Sequence, residues 1–150
     1  MAAQAKGLNR HVTASSAGTR AVVGSRVHPD AAAMVRNLGG DVTGFAARQL
    51  TPPIASEADL ILTMTTQHRD KVLNLAPHRL HRTFTLLEAA HLVTEHGAQT
   101  IDDLRLLRPQ LTAELMDIED PIGQNPSFFE AVCTQIAGLL PPILALRWLS

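Results

Sequence analysis

Apolar runs alternate with polar breaks along this chain in a pattern that predicts strands and helices taking turns. Residues 1–7 are Ala-rich, carry Lys6 and end in Gly7, the composition of a helix tail and its C-cap. Residues 11–18 then read as a short strand ending in small residues, which let backbone approach closely. His28-Pro29-Asp30 opens a helix over 30–38, with Ala31, Met34, Val35 and Leu38 on one face and Gly39-Gly40 as its stop. Residues 42–50 look extended or irregular, and Thr51-Pro52-Pro53 before Ser56-Glu57 predicts a short helical turn.

The run 58–64 is largely apolar on both faces, as a buried parallel strand is. Thr65 or Thr66 caps the next helix, which carries Arg69, Val72 and Leu73 and is closed by Pro77. A third strand over 82–87 leads into a helix over 88–96, and a further helical stretch over 102–115 is interrupted or kinked at Pro109. After the carboxylate-rich loop 116–123, Asn125-Pro126 starts a final helix by the cap-then-proline rule. Its face of Phe128, Phe129, Val132, Ile136 and Leu139 or Leu140 is expected to pack on the sheet. The alternation argues an α/β fold with a doubly wound parallel sheet. No repeat, low-complexity tract or linker divides residues 1–150, so a single domain is expected.

Composition narrows the function classes. A hydrophobic content of 45% with 18% charged residues describes a globule able to bury a core. The formal charge of −1 and a pI near 6.6 leave no electrostatic footprint for nucleic acid, and no Lys/Arg run marks a membrane-surface patch. Neither a nucleic acid nor a membrane is expected as a partner. The most apolar stretch, 136–149, contains Pro141-Pro142 and Arg147 and falls short of the roughly 20 apolar residues of a membrane span. It reads as a packed terminal helix. Cys133 is the single cysteine, which excludes an intrachain disulfide framework and a cysteine-cluster metal site and favours a reducing cytoplasm. The seven histidines show no metal spacing; His78 and His81 read as surface residues, and no metal or cofactor is expected.

Three segments carry a resemblance: Ser15-Ser16-Ala17-Gly18-Thr19, then Ala47-Arg48-Gln49-Leu50-Thr51, then Asp120-Pro121 followed by Gly123 and Phe128. In that order and spacing the chain resembles the low-molecular-weight protein-tyrosine phosphatase family, from about His11 to Cys133. The resemblance implies a four-stranded parallel sheet and catalysis by a cysteine thiolate in a C-x5-R-S phosphate loop, between the first strand and the first helix. That loop is absent from these 150 residues. Cys133 is followed six residues later by Leu139 and sits in the expected terminal helix, where it reads as a buried structural cysteine. Met1 falls where the family's first helix is already under way. The resemblance therefore implies that a first strand and the whole loop are missing on the N-terminal side, and that the 150 residues are a truncated, inactive chain. Loss of that strand is expected to leave unpaired edges and an open slot in the core.

The resemblance casts Asp120 as the general acid that protonates the leaving phenolate and later activates water against the phosphocysteine. A carboxyl on a mobile loop suits that work, and Asp120-Pro121 before Gly123 supplies one. Asp117 and Glu119 read as solvated acidic neighbours. Ser16 matches the serine that supports the phosphate loop, and Arg48 matches the Arg-Gln pair behind the site, in a structural or backbone-bonding role. Val22 and Ile122 stand where many members place the aromatic walls of the phosphotyrosine slot, which removes a stacking contribution of about 0.5–1.5 kcal/mol per aromatic pair. Phe45 occupies the place of a supporting histidine, and Thr65 that of an acidic partner in some relatives. The implied partner of a complete protein is a phosphotyrosine-containing protein or a small aryl phosphate. A non-catalytic binding or regulatory module on the same scaffold is the competing reading, and the reading frame upstream of Met1 separates the two. An arsenate reductase relative conflicts with the single cysteine. A flavodoxin-like or receiver domain conflicts with the lack of an acidic cluster after the first strand and of a Gly-rich phosphate loop.

Overall fold

The computed structural model describes residues 12–21, 23–27, 29–37, 43–111 and 117–147, with the side chains of Asp30 and Met34 left aside. The expected helix tail at 1–7, Val22, the Gly39-Gly40 stop and the helical stretch beyond 111 lie outside the described residues. The chain divides into two compact units, Met1–Leu50 and Thr51–Ser150.

In the first unit, α1 (Pro29–Asn37) begins one residue earlier than the capping pattern predicts. Proline at the first helical position has its φ already set and lacks only an N–H that no intrahelical acceptor could take. Ala32 and Leu50 are buried here. The stretch 12–17, expected as a strand, contains no ladder; Gly18 alone forms a parallel bridge to Gln49. The Gly18 N–H donates to the Arg48 carbonyl and the Leu50 N–H to the Gly18 carbonyl, both at 2.9 Å. Gly24, at φ +80°, turns the chain so that its N–H reaches the Ala47 carbonyl at 2.7 Å. Residues 45–48 are irregular, as their sequence predicts.

The second unit holds the parallel pair. Strand β1 (Ile61–Thr63) pairs with β2 (Thr83–Thr85) in the register Ile61 to Thr83, Leu62 to Phe84 and Thr63 to Thr85. All three β2 residues are buried. Their hydroxyls are satisfied locally: Thr83 Oγ1 donates to the Arg79 carbonyl at 2.8 Å, and Thr85 Oγ1 accepts the Glu88 N–H at 3.1 Å. That last bond moves a boundary. Glu88 Oε2 accepts the Thr85 N–H in return, at 2.9 Å, and the closed capping box starts α4 (Leu86–Thr94) two residues before the expected Glu88. Leu86 and Leu92 thereby enter the core from a helix, each side chain contributing about 1.5–3 kcal/mol by burial.

Helix α2 (Pro52–Glu57) starts on paired prolines, and its end is closed by Arg79, which donates to the carbonyls of Ala55 at 3.1 Å, Ala58 at 2.7 Å and Ser56. Helix α3 (Thr66–Leu75) is capped by Thr65, whose Oγ1 accepts the His68 N–H at 3.0 Å. A 3₁₀ segment, Pro77–Arg82, returns the chain to β2. Helix α5 (Ile101–Leu107) stops before Pro109, which cannot donate to a continuing ladder, and tightens into a 3₁₀ turn, Arg108–Gln110. Helix α6 (Pro126–Leu144) runs for 19 residues, longer than the apolar stretch predicted from sequence, and its length and composition would suit a membrane span. It nonetheless buries Phe129, Val132 and Ile143, with Phe128, Ile136, Leu139 and Leu140 packed against the core of Phe84, Leu86, Leu92, Leu104 and Ile118.

The start of α5 gives a pH-dependent contribution. Asp103 accepts the N–H groups of Gln99 at 2.9 Å and Thr100 at 3.0 Å. The Gln99 bond is the main cause holding its carboxyl below the ordinary 3.8; partial burial opposes it, and Thr100 and the Arg147 charge assist. A depressed folded-state value adds stability above the unfolded value and loses it as pH falls through the folded one. Asp103→Asn keeps an acceptor oxygen and removes only the charge, so it should cost about 0.3–1 kcal/mol at neutral pH. Thermal melts across the acid range should show the gap to wild type closing as Asp103 protonates; a constant gap would exclude the charge as its origin.

Candidate active-site elements

Two of the expected site residues meet in the first unit. Arg48 Nε donates to the Ser16 carbonyl and its Nη2 to Ser15 Oγ, both at 2.9 Å. Its neighbour Gln49 accepts the Ala21 N–H at 2.9 Å and donates to the Thr19 carbonyl at 3.1 Å. The Arg48-Gln49 pair therefore clamps the segment 15–21 through main-chain groups, and it reaches Ser16 at the carbonyl. Gln49 does as much of this work as Arg48; the resemblance marks the Arg-Gln pair, but not these bonds, which join residues about 30 positions apart. Val22 lies outside the described residues, and its neighbour Val23 is exposed. Phe45 is half-buried.

In the second unit, Asp120 and Ile122 share one turn. Asp120 Oδ1 accepts the Ile122 N–H at 3.0 Å, the Gln124 N–H donates to the Pro121 carbonyl at 3.0 Å, and Gly123 supplies φ +83°. Asn125 then caps α6 by accepting the Phe128 N–H at 2.8 Å. Both Asp120 and Ile122 are exposed. The loop enters this turn from the carboxyl end of β1: the Ile118 N–H donates to the Met64 carbonyl at 3.0 Å, and the Ile118 side chain is buried. Asp117, expected as a solvated neighbour, is exposed and also binds Thr66 through both carboxylate oxygens, at 2.8 Å to N–H and 3.3 Å to Oγ1. Thr66 N–H is an orphan donor at a helix N-terminus, so a nearby carboxylate is drawn to it. The carboxyl ends of strands are where open α/β sheets place their ligand sites.

Cys133 lies on α6 and is half-buried, less enclosed than its expected core position. Burial raises its thiol above the ordinary 9.0, so it stays protonated at neutral pH and is a poor nucleophile. His78 and His81 are exposed, with His78 Nε2 at 2.9 Å from Ser56 Oγ. Among the described residues no group of three or more His, Cys, Asp or Glu side chains could hold a metal.

The family described as low molecular weight phosphotyrosine protein phosphatase matches residues 1–103. A Klebsiella pneumoniae protein carrying a low molecular weight protein-tyrosine-phosphatase name is 35% identical over 69 residues, 46% of this chain; the matched stretch spans about half of that relative, 48%. Among solved structures, the Erwinia amylovora tyrosine phosphatase amsI superposes with a TM-score of 0.66 at 23% identity, covering 87% of this chain and 72% of that one. The YwlE arginine phosphatase of Geobacillus stearothermophilus gives 0.65 at 22%, over 86% and 70%. Vibrio vulnificus Wzb, solved with benzylphosphonate, gives 0.61 at 24%, over 85% and 74%. The structural likenesses establish the α/β fold, and the match over residues 1–103 establishes the lineage: the chain belongs to the low molecular weight phosphotyrosine protein phosphatase family.

Proposed function

We propose that residues 1–150 form most of a single phosphatase-type domain whose chemistry is phosphomonoester hydrolysis through a cysteinyl phosphate, with Asp120 as general acid and base. The observation that carries this reading is the placement of Asp120: exposed, set on a turn by its own Oδ1, on a loop docked at the carboxyl end of β1. The substrate is a phosphotyrosine-containing protein or a small aryl phosphate, in keeping with the family and with the benzylphosphonate bound by Wzb. Ile122, beside Asp120, would offer the ring an aliphatic side chain. Ser16 and Arg48 support the phosphate loop, Arg48 through its bonds to the 15–16 segment. The protein works in the cytoplasm, with α6 as a core helix; its buried Phe129, Val132 and Ile143 support that placement.

The same reading makes the 150 residues inactive alone. They contain one cysteine, without an arginine six positions on, and its thiol is protonated at neutral pH. Purified residues 1–150 should release no phosphate from p-nitrophenyl phosphate. The same residues preceded by a first strand and a C-x5-R-S loop of the family's pattern should hydrolyse it. Turnover by residues 1–150 would overturn the inactivity, and a loop-bearing protein that folds but stays silent would favour a non-catalytic module.

A further inference from the structure

The bonds around Asp120 fall into two kinds. Asp120 Oδ1 to Ile122 N–H and Gln124 N–H to the Pro121 carbonyl both lie inside the loop; they fix its shape without fixing where it sits. Its location is set at its two ends, by α6 on one side and by Asp117 and Ile118 on the other. Ile118 contributes a main-chain bond to Met64 and a side chain buried in the core. Asp117 contributes a side-chain bond that depends on its identity. It spans 51 positions of sequence to Thr66, the first residue of α3, while Thr65 occupies the His68 N–H of the same helix. The two contacts grip β1's carboxyl end on either side of Thr65.

We infer that Asp117 is a positioning residue, which holds the Asp120 loop at the end of β1 by capping α3 from outside the helix. The inference rests on the reading of Asp120 as the acid for its catalytic meaning. The geometric content stands apart from that reading: without the Asp117 carboxylate, residues 119–124 keep their internal turn and lose one of the anchors that hold them at the end of β1, with Ile118 and α6 remaining. Glu119, next in the loop, is exposed, and the carboxylate that enters the α3 N-terminus is that of Asp117.

Thr66 offers an unusually clean test. Thr66→Pro deletes both groups that Asp117 binds, yet proline suits the first helical position, and Thr65 at φ −129° and ψ 159° already has the conformation required before proline. In 15N-labelled residues 1–150, Thr66→Pro and Asp117→Ala should each lower the order parameters of 119–124 from about 0.85 to below about 0.6 and shift the Ile122 amide resonance. The α3 and α6 amides beyond the first turn should keep theirs. Combining the two changes should add nothing to either alone, and Asp117→Asn, which keeps one acceptor oxygen, should restore much of the order. Wild-type order and an unmoved Ile122 amide in Asp117→Ala would overturn the inference, leaving Ile118 and α6 as the anchors. If Thr66→Pro fails to fold, Asp117→Ala decides alone, because Asp117 is exposed and water can replace it at Thr66. Loop order is read here independently of turnover, so a failure of Asp120 as the acid would leave this result intact.

Discussion

Phe84→Ala is expected to cost the second unit about 3–5 kcal/mol, against a total stability of about 5–15 kcal/mol for a domain. Phe84 is fully buried at the centre of β2, opposite Leu62. Its loss leaves a cavity in the core beside β2, which the flanking threonines cannot fill because successive strand side chains point to opposite faces. The ring has a second partner. The Arg108 guanidinium stands 3.9 Å from its centroid while donating to the carbonyls of Leu80, at 2.7 Å, and Thr83. Burial lowers the Arg108 guanidinium below its ordinary value, the Glu88 charge opposing and Arg69 reinforcing that shift, yet an arginine remains charged at neutral pH. Phe84→Leu separates the two roles: it keeps most of the apolar burial and loses the ring face, for about 0.5–2 kcal/mol. Urea titrations of the three proteins measure both differences. A loss below about 1 kcal/mol in Phe84→Ala would mean that the core around β2 collapses into the space.

The contrast between Asn125 and Asp117 shows what the sequence could and could not carry. Asn125-Pro126 announces its helix because cap and proline are adjacent, and α6 begins there. Thr85 and Thr100 carry the same kind of local signal, each with an acid three residues on, and each closes a capping box; reading 82–87 as one strand hid the first of them. Parallel pairing of β1 with β2 follows from the alternation of elements, although both strands are shorter than expected; β2 ends at Thr85, which caps α4. Asp117 has no local signal at all. Its partner lies 51 positions away, so in sequence it is one carboxylate in an acidic loop. Gln49 stands out only through the resemblance's Arg-Gln pair, because its own partners are also distant in sequence. Asp120 was legible through its Pro and Gly neighbours, which specify a turn, while the role given to it came from the family resemblance.

That role predicts the second large effect. In the loop-bearing protein, Asp120→Asn should lower kcat by about 10²–10⁴-fold, the usual contribution of a positioned general acid or base. The substitution is selective on geometric grounds. Asparagine retains an oxygen for the Ile122 N–H, so the turn that presents residue 120 persists and only the transferable proton is lost. Phosphate affinity should change little, because the groups that bind the phosphoryl oxygens belong to the C-x5-R loop; inhibition by inorganic phosphate measures this separately from kcat. The defect should also depend on the leaving group. p-Nitrophenolate is a stable anion that departs with little help, whereas phenolate needs a proton as the P–O bond breaks. Asp120→Asn should therefore impair phenyl phosphate hydrolysis more than p-nitrophenyl phosphate hydrolysis. Equal defects on both substrates would point to dephosphorylation of the cysteine as the limiting step, where Asp120 acts as base on water. An unchanged kcat on both would remove Asp120 from the chemistry.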